Sequence, residues 1–301
     1  MKPLGVAAAS LAALGAMGLI VAGVVAPTVD GAPCFYLKRQ LAVLAIGAAA
    51  AVLAARVQWR RWLSAAPWLF AVWLAAFVAS ASLQVDGYAA ETWMTGWLAA
   101  ALFVAWIQSR RKTLIRPIHL GIVLMVGLSV CMMTSLVADA ACRERLMASM
   151  GFAEPSAAVQ TENSRVVEQG QLDKAWRSAK WIGAADEGVA VPNPHASGVS
   201  SATAVAFGKA FPAGVMALFF GVLMTLALTC RTMADASGRV FMGVYGWACL
   251  LVPAAVNLLA SMKRVPFTGL EVPLVGCGVA ASLVALLGFG IACSAARKDL
   301  L

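Results

Sequence analysis

One short turn in a polar stretch of the chain carries the side chains best suited to acid–base chemistry. The turn at 191–197 reads VPNPHAS, and its His195 is one of only two histidines in the chain. Asp186 and Glu187 precede the turn and offer a carboxylate. A general base must lie within hydrogen-bond reach of the proton that it takes, and Pro192 restricts the backbone that presents His195. We regard these side chains as catalytic candidates. The competing interpretation is an exposed loop histidine held only by its proline neighbours.

The rest of the chain must position this turn, and it is dominated by apolar residues. Hydrophobic residues make up 61% of the 301 residues and charged residues only 12%. A soluble domain has about 25% charged residues, so the composition predicts an integral membrane protein. The formal net charge of +9 does not indicate nucleic-acid binding, because the basic residues lie in small groups beside apolar runs, where membrane topology explains them better.

The apolar runs are long enough to cross a bilayer as helices, which need about 20 residues each. They predict an all-α polytopic membrane helix bundle with about eight transmembrane helices and one long extracytoplasmic loop. The first run is longer than the apolar part of a signal peptide, about 7–15 residues, which favours a span there. The predicted spans are 5–27, 41–55, 64–83, 93–108, 117–138, 211–230, 240–261 and 272–296. A five-span half (1–138), the loop (139–210) and a three-span half (211–301) would then form a single membrane domain.

The distribution of lysine and arginine predicts how the bundle is oriented. With both termini in the cytoplasm, the inner segments hold 12 of these residues and the short outer loops hold 4. Cytoplasmic segments carry the excess of positive charge, so this orientation is favoured and the long loop lies outside. The inner set is Lys2, Arg56, Arg60, Arg61, Arg110, Arg111, Lys112, Arg116, Arg231, Arg239, Arg297 and Lys298, and the outer set is Lys38, Arg39, Lys263 and Arg264.

The predicted spans themselves offer little chemistry. No acidic residue lies in the middle of an apolar run, and His119 lies near a span boundary, where an interfacial or packing role is favoured; this argues against an ion-coupled pump. Within the long loop, residues 160–181 mix polar and apolar side chains and predict one or two short amphipathic helices on the outer membrane surface. A disulfide between Cys34 and Cys142 is left open, since both are placed on the same side of the membrane.

A second unusual stretch lies at the entrance to the last predicted span. Residues 266–273 read PFTGLEVP, with Pro266, Gly269 and Pro273 close together. Broken backbone in a membrane protein is tolerated only where it is buried in protein or lines a cavity. The stretch therefore predicts a re-entrant or cavity-lining element. The alternative is an ordinary turn followed by packing of small residues.

Several of these stretches, in this order, resemble the SEDS family of bacterial cell-wall proteins (FtsW, RodA and SpoVE). Residues 35–40, FYLKRQ, resemble the segment after the family's first span, and residues 56–62 resemble the basic and aromatic stretch after its second. Residues 143–146 resemble the entry to the family's large extracytoplasmic loop. The remaining matches to family motifs are Gln160, Asn163 and Ser164 in that loop, Pro192 and His195 in the turn, and Asn257, Pro266, Gly269, Pro273 and Gly278 near the end.

The resemblance implies a function in peptidoglycan synthesis during cell growth or division. Members of the family polymerise lipid II as glycosyltransferases, usually with a class B penicillin-binding protein as partner, in the bacterial inner (plasma) membrane. In that chemistry a carboxylate deprotonates the acceptor sugar hydroxyl as it attacks the anomeric carbon of the donor. The resemblance implies membrane lipid and lipid II as ligands and no defined cofactor, with a divalent cation left open.

The sequence departs from the family pattern at the residue that matters most for catalysis. The catalytic aspartate of the family falls on Ser197, a later glutamate falls on Lys209, and the final SYGG motif is GCGV at 276–279. Family members usually have ten spans. A serine hydroxyl needs a base of its own to act. Either Asp186 or Glu187 has taken over, or the chain is a catalytically inactive scaffold for a penicillin-binding protein. A lipid-precursor transporter or flippase is the alternative from another class, and the nearly uncharged spans argue against it.

Overall fold

The structure of the chain is a computed structural model. It describes residues 2–25, 34–82, 89–110, 164–185, 191, 192, 194, 198–265 and 270–297, with the backbone alone described at 2, 77–82, 89–94 and 164–169. The predicted fifth span, 117–138, lies outside the described residues, as do His119 and Cys142. Cys34 is an exposed free thiol.

The described part of the chain is helical and contains no strand. Most of its helices follow the apolar runs, since a run of about 20 such residues satisfies its backbone polar groups internally only as a helix. The helices are α1 (Lys2–Val24), α2 (Phe35–Arg56), α3 (Trp59–Ser82), α4 (Ala89–Arg110), α5 (Ser164–Ser178), α6 (Val199–Phe207), α7 (Ala210–Thr232), α8 (Ala236–Ser261) and α9 (Val279–Ala296).

Five helices are long and apolar enough to cross a membrane, counted over the residues that the structure describes: α1, α2, α7, α8 and α9. The predicted third and fourth spans also form helices, α3 and α4. The all-α polytopic membrane architecture is therefore confirmed. The count of eight spans and the orientation of the termini stay predictions.

Several helices begin before the spans that their apolar runs predict, and α2 and α3 show why. The second span was predicted from 41, but α2 begins at Phe35. The third was predicted from 64, but α3 begins at Trp59, whose buried indole N–H donates to Asp235 Oδ2 (2.7 Å) before α8. The physical reason is the same in both cases. An apolar run marks only the part of a helix inside the hydrocarbon, and the polar turns beyond it are stabilised by contacts with other elements.

The last predicted span is wrong in the opposite sense. It was predicted from 272, but α9 begins at Val279, and residues 270–278 form an irregular buried segment. Pro273 cannot donate a helical hydrogen bond, and Leu274 has a φ of 67°, outside the right-handed helical region. We call residues 270–278 the buried segment.

The helix in the long loop is packed against other helices. A single helix, α5, forms within the described part of 160–181. Its Leu172 and Ala175, and Ala179 directly after it, are buried at a spacing of three and four residues, and α5 packs against α6 and α8. These apolar side chains are therefore covered by protein, and the position of α5 on the outer membrane surface stays a prediction.

Glycines let the backbones approach closely where the bundle is tightest. A Cβ added to Gly290 in α9 would lie 2.2 Å from the Ala51 carbonyl oxygen in α2. A Cβ added to Gly18 in α1 would lie 2.0 Å from the Leu274 carbonyl oxygen in the buried segment. Small residues at such crossings are how membrane helices pack, since lipid provides no hydrophobic driving force between them.

We predict that Gly18→Ala lowers the stability of the protein by about 1–3 kcal/mol, because the new methyl group forces α1 away from the buried segment. Thermal unfolding in detergent, followed by near-ultraviolet circular dichroism, measures the change. The matched control is Gly23→Ala on the same helix, where nothing lies within 4 Å of the added Cβ. Equal melting temperatures for the two variants would contradict the close contact.

Candidate functional site

The buried segment forms the floor of the candidate site. Residues 272–278 are all buried. The left-handed conformation at Leu274 costs about 1–2 kcal/mol in a residue with a Cβ. It is held by two hydrogen bonds, from Gln40 Nε2 to the Leu274 carbonyl oxygen (2.9 Å) and from the Leu274 N–H to Ser282 Oγ (3.2 Å). The Pro- and Gly-rich stretch thus continues into irregular backbone that is buried in protein.

Gln40 links this floor to the second helix. Its side chain is fully buried, and its Oε1 has no hydrogen-bond partner among the described residues. A buried amide is costly unless it is bonded, so the bond to Leu274 fixes where α2 must lie. The first and the last of the stretches that resemble family motifs therefore meet here, although 234 positions separate their residues.

Asn257 joins three elements at one point. Ser200 Oγ in α6 donates to Asn257 Oδ1 (2.6 Å), and Asn257 Nδ2 donates to the Leu270 carbonyl oxygen (2.7 Å). Asn257 and Ser200 are only 3% and 6% exposed, so these bonds are shielded from water. Helix α6, helix α8 and the buried segment are thereby held in register. Ser200 lies three positions after Ser197 in the sequence. The junction therefore also fixes the position of α6, the helix that follows the turn.

A cleft opens beside this junction. It has an empty volume of about 270 Å³, and its wall is apolar except for two hydroxyl groups in α6. This volume includes space open to solvent. The enclosed space is only about 10 Å³, room for about one water molecule, so the cleft is a shallow apolar groove rather than a formed pocket. Its lining residues are Val199, Ser200, Thr203, Pro212, Val215, Met216, Ala254, Leu258, Val272 and Val275.

The helix that follows the candidate turn in the sequence lines this cleft. Pro192 and Pro194 are half-buried, Gly198 is buried, and residues 199–204 of α6 are all buried. Because α6 begins immediately after the turn and also lines the cleft, it ties the turn's C-terminal end to the cleft wall.

No protein-family model and no curated protein match this sequence. Solved structures do. The chain aligns with the rod shape determining protein RodA of Thermus thermophilus at TM-score 0.66 and 19% identity, over 97% of this chain and 96% of that one. An aspartate-to-alanine variant of the same RodA aligns equally well. A chain of a peptidoglycan synthase complex that coordinates polymerization and crosslinking aligns at TM-score 0.67 and 17% identity, over 97% of both chains. The chain has the SEDS fold.

The SEDS fold brings together only part of the predicted site. Asn257, Pro273 and Gly278 lie in or beside the buried segment, Pro192 lies before α6, and Ser164 begins α5. The predicted residues Gln160, Asp186, Glu187, His195, Ser197, Pro266 and Gly269 lie outside the described residues. Lys209, at the position of the family's glutamate, precedes α7 with its Nζ 6.0 Å from the centre of the Trp176 ring. The described part of the chain holds no group of three His, Cys, Asp or Glu residues that could bind a metal ion.

Sequence reasoning missed a carboxylate in this SEDS fold. Glu271 folds over Gly278 so closely that a Cβ there would lie 1.1 Å from Glu271 Oε2, which explains the glycine. The pKa of the Cys277 thiol is raised to about 11, mainly by burial; the Glu271 carboxylate adds to the rise and Arg39 opposes it. Glu271 and Arg39 therefore act on this thiol with opposite charge. A signal was available, because Glu271 is the only acidic residue between Asp235 and Asp299.

We predict that Cys277 reacts slowly with maleimide, because a thiol with a pKa near 11 is only about one part in a thousand thiolate at pH 8. Glu271→Gln removes a negative charge, lowers the pKa of Cys277 and speeds labelling. Arg39→Gln raises the pKa and slows it. Peptide mass spectrometry across pH 7–10 measures the rate, with the exposed Cys34 as the internal control. Identical rates in the two variants would contradict the arrangement.

We predict that Asn257→Ala destabilises the protein by about 2–4 kcal/mol, because it leaves the Ser200 hydroxyl and the Leu270 carbonyl buried with a partner removed, at about 1–3 kcal/mol each. Ser200→Ala removes only one bond and has the smaller effect. The double variant must lose less than the sum of the two, by about 0.5 kcal/mol or more, if the residues share the bond. Thermal unfolding of all four proteins completes the cycle, and simple additivity would argue against the junction.

Proposed function

We propose that this chain is a SEDS-type protein of peptidoglycan synthesis in the inner membrane of a bacterium. It binds the lipid-linked precursor lipid II and works with a class B penicillin-binding protein. The observation that carries the proposal is the SEDS fold over 97% of the chain, shared with RodA and with a chain of a peptidoglycan synthase complex.

The described part of the site supports a lipid-linked ligand. The cleft has an apolar wall, which suits an isoprenoid chain, and the Ser200 and Thr203 hydroxyl groups give it a polar edge on α6. The turn that resembles the family's catalytic motif immediately precedes this helix. A ligand with an apolar tail and a saccharide head therefore finds an apolar cleft next to the helix that follows the candidate catalytic turn.

The reaction that we propose is glycosyl transfer from lipid II. A carboxylate takes the proton from the acceptor hydroxyl as its oxygen forms a bond to the anomeric carbon of the donor. The bond from that carbon to the lipid diphosphate breaks, and the diphosphate leaves with the electron pair. Ser197 cannot serve as this base unaided. We propose that Asp186 or Glu187 takes the role, with His195 beside it, and Glu271 is a third carboxylate near the cleft.

A second function is favoured by Ser197 itself. The fold and the polar junction at Asn257 need no catalytic carboxylate, so the chain can hold lipid II and a penicillin-binding protein without turnover. In this proposal the protein is a catalytically inactive scaffold.

We predict that the purified protein, with a co-purified penicillin-binding protein, polymerises labelled lipid II into glycan strands visible on a gel. Loss of product in Asp186→Ala, Glu187→Ala or Glu271→Gln identifies the base, because each removes one carboxylate. Asp173→Asn is the matched control, since this acid pairs with Arg177 one turn along α5 (3.0 Å).

The outcomes separate the functions. Product that survives all three substitutions would show that none of these carboxylates is the base. If the unsubstituted protein gives no product but still binds the penicillin-binding protein, the scaffold function is supported and the enzyme function is excluded. Movement of labelled lipid II across vesicles without polymerisation would instead support a flippase, and it would contradict both proposals.

A further inference from the structure

An exposed apolar pair protrudes between α5 and the next described helix. Trp181 and Ile182 are 73% and 81% exposed, and they lie in the short irregular stretch 179–185, which we call the finger. Burying a large apolar side chain contributes about 1.5–3 kcal/mol. Two such adjacent side chains exposed on the protein surface indicate a partner that covers them.

The finger is held rigidly by backbone hydrogen bonds to the end of α6 and the start of α7. The Ala185 N–H donates to the Val205 carbonyl (2.9 Å), and the Gly183 N–H donates to the Phe207 carbonyl (3.2 Å). In the other direction, the Lys209 N–H donates to the Lys180 carbonyl (2.9 Å), and the Ala210 N–H donates to the Trp181 carbonyl (3.0 Å).

Gly208 makes this close pairing possible. It has a φ of 95°, and a Cβ there would lie 2.7 Å from the Trp181 carbonyl oxygen. Only glycine adopts this conformation readily and leaves room for the neighbouring chain. The position of Trp181 is therefore fixed relative to the first turn of α7.

The first turn of α7 marks the edge of the membrane. From its first turn to Leu228 the exposed residues of this helix are all apolar: Ala210, Ala213, Ala217, Phe220, Met224, Ala227 and Leu228. Exposed polar residues, Arg231 and Thr232, appear only at its other end. At about 1.5 Å per residue, its 23 residues span about 35 Å, slightly more than the hydrocarbon thickness of about 30 Å. Ala210 therefore lies at the boundary, and the finger bonded to it lies at the level of the lipid headgroups.

The charges around the finger fit anionic headgroups. The stretch 170–185 contains three basic residues, Lys174, Arg177 and Lys180, and only one acidic residue, Asp173. Tryptophan is enriched at membrane interfaces, where its ring sits at headgroup level, and basic side chains beside it attract anionic lipid. These observations favour lipid over a protein partner as the cover for the pair.

We infer that the finger is a membrane anchor. Trp181 and Ile182 insert among the lipid headgroups beside α7, and the backbone pairing transmits this fixed depth to α6. The anchor holds the α5–α6 region, and with it the end of the candidate turn, at a set height above the bilayer. Helix α5 itself stays out of the lipid, because its apolar face is packed on α6 and α8.

We predict that lipid reaches the ring of Trp181. The protein is reconstituted into vesicles of phosphatidylcholine and phosphatidylglycerol, some carrying bromine on the upper acyl carbons, and the fluorescence of Trp181→Phe is subtracted from that of the unsubstituted protein. The difference signal is expected to lose most of its intensity in brominated vesicles and to resist quenching by aqueous iodide. Trp68 on α3 is 75% exposed and serves as the lipid-facing reference. Its signal is obtained in the same way, by subtracting the fluorescence of Trp68→Phe.

The matched control places the same probe on α5. Gly170 is exposed, and nothing lies within 4 Å of an added Cβ. Gly170→Trp in the Trp181→Phe background is expected to be quenched by iodide and untouched by brominated lipid. Quenching of Trp181 by iodide alone would overturn the anchor and leave the finger as a surface for a protein. Lipid quenching at position 170 would overturn it too, because α5 would then lie in the membrane.

Discussion

The structure depends on how one carbonyl group is satisfied. The Leu274 carbonyl lies inside a membrane protein, in backbone that is not helical, so no neighbour in its own helix can donate to it. Gln40 reaches it from α2 with a 2.9 Å hydrogen bond, and Gly18 leaves α1 room to pass over it. Without that bond the group would be buried and unpaired at a cost of about 1–3 kcal/mol. The positions of α1, α2 and the buried segment are thus set together.

The same constraint explains why the candidate site lies where it does. Irregular backbone in a bundle must be compensated by side-chain amides and hydroxyl groups, and these are placed around the buried segment by Gln40, Asn257 and Ser282. One polar side chain of the Asn257 junction also lines the cleft beside it. This side chain is Ser200, whose hydroxyl donates a hydrogen bond to Asn257 and which also forms part of the cleft wall. The hydrogen bonds that satisfy the irregular backbone and the wall of the cleft therefore meet at one junction.

Sequence reasoning predicted the all-α membrane architecture and the apolar helices that the structure describes, because the thickness of the hydrocarbon fixes the length of an apolar run in any fold. It also predicted a special role for the Pro- and Gly-rich stretch, since such residues break helices by covalent structure alone. It failed where tertiary contacts decide. The polar turn of α2 around Gln40 is helical because Leu274, far along the chain, accepts its amide. The contact of Glu271 with Gly278 depends on how the buried segment folds, and no spacing in the sequence encodes it.

The proposed function divides into two tasks with different physical requirements. Holding a ligand beside α6 requires the cleft, the junction at Asn257 and the position of the turn, and these are supplied by backbone geometry, amides and hydroxyl groups. Removing a proton from a sugar hydroxyl requires one carboxylate at one point. None of the described hydrogen bonds around Asn257 and Leu274 involves an acid. The proposed binding of a lipid-linked ligand therefore does not depend on the residue that the resemblance places at the family's aspartate, and the two proposed functions, enzyme and scaffold, need the same described contacts.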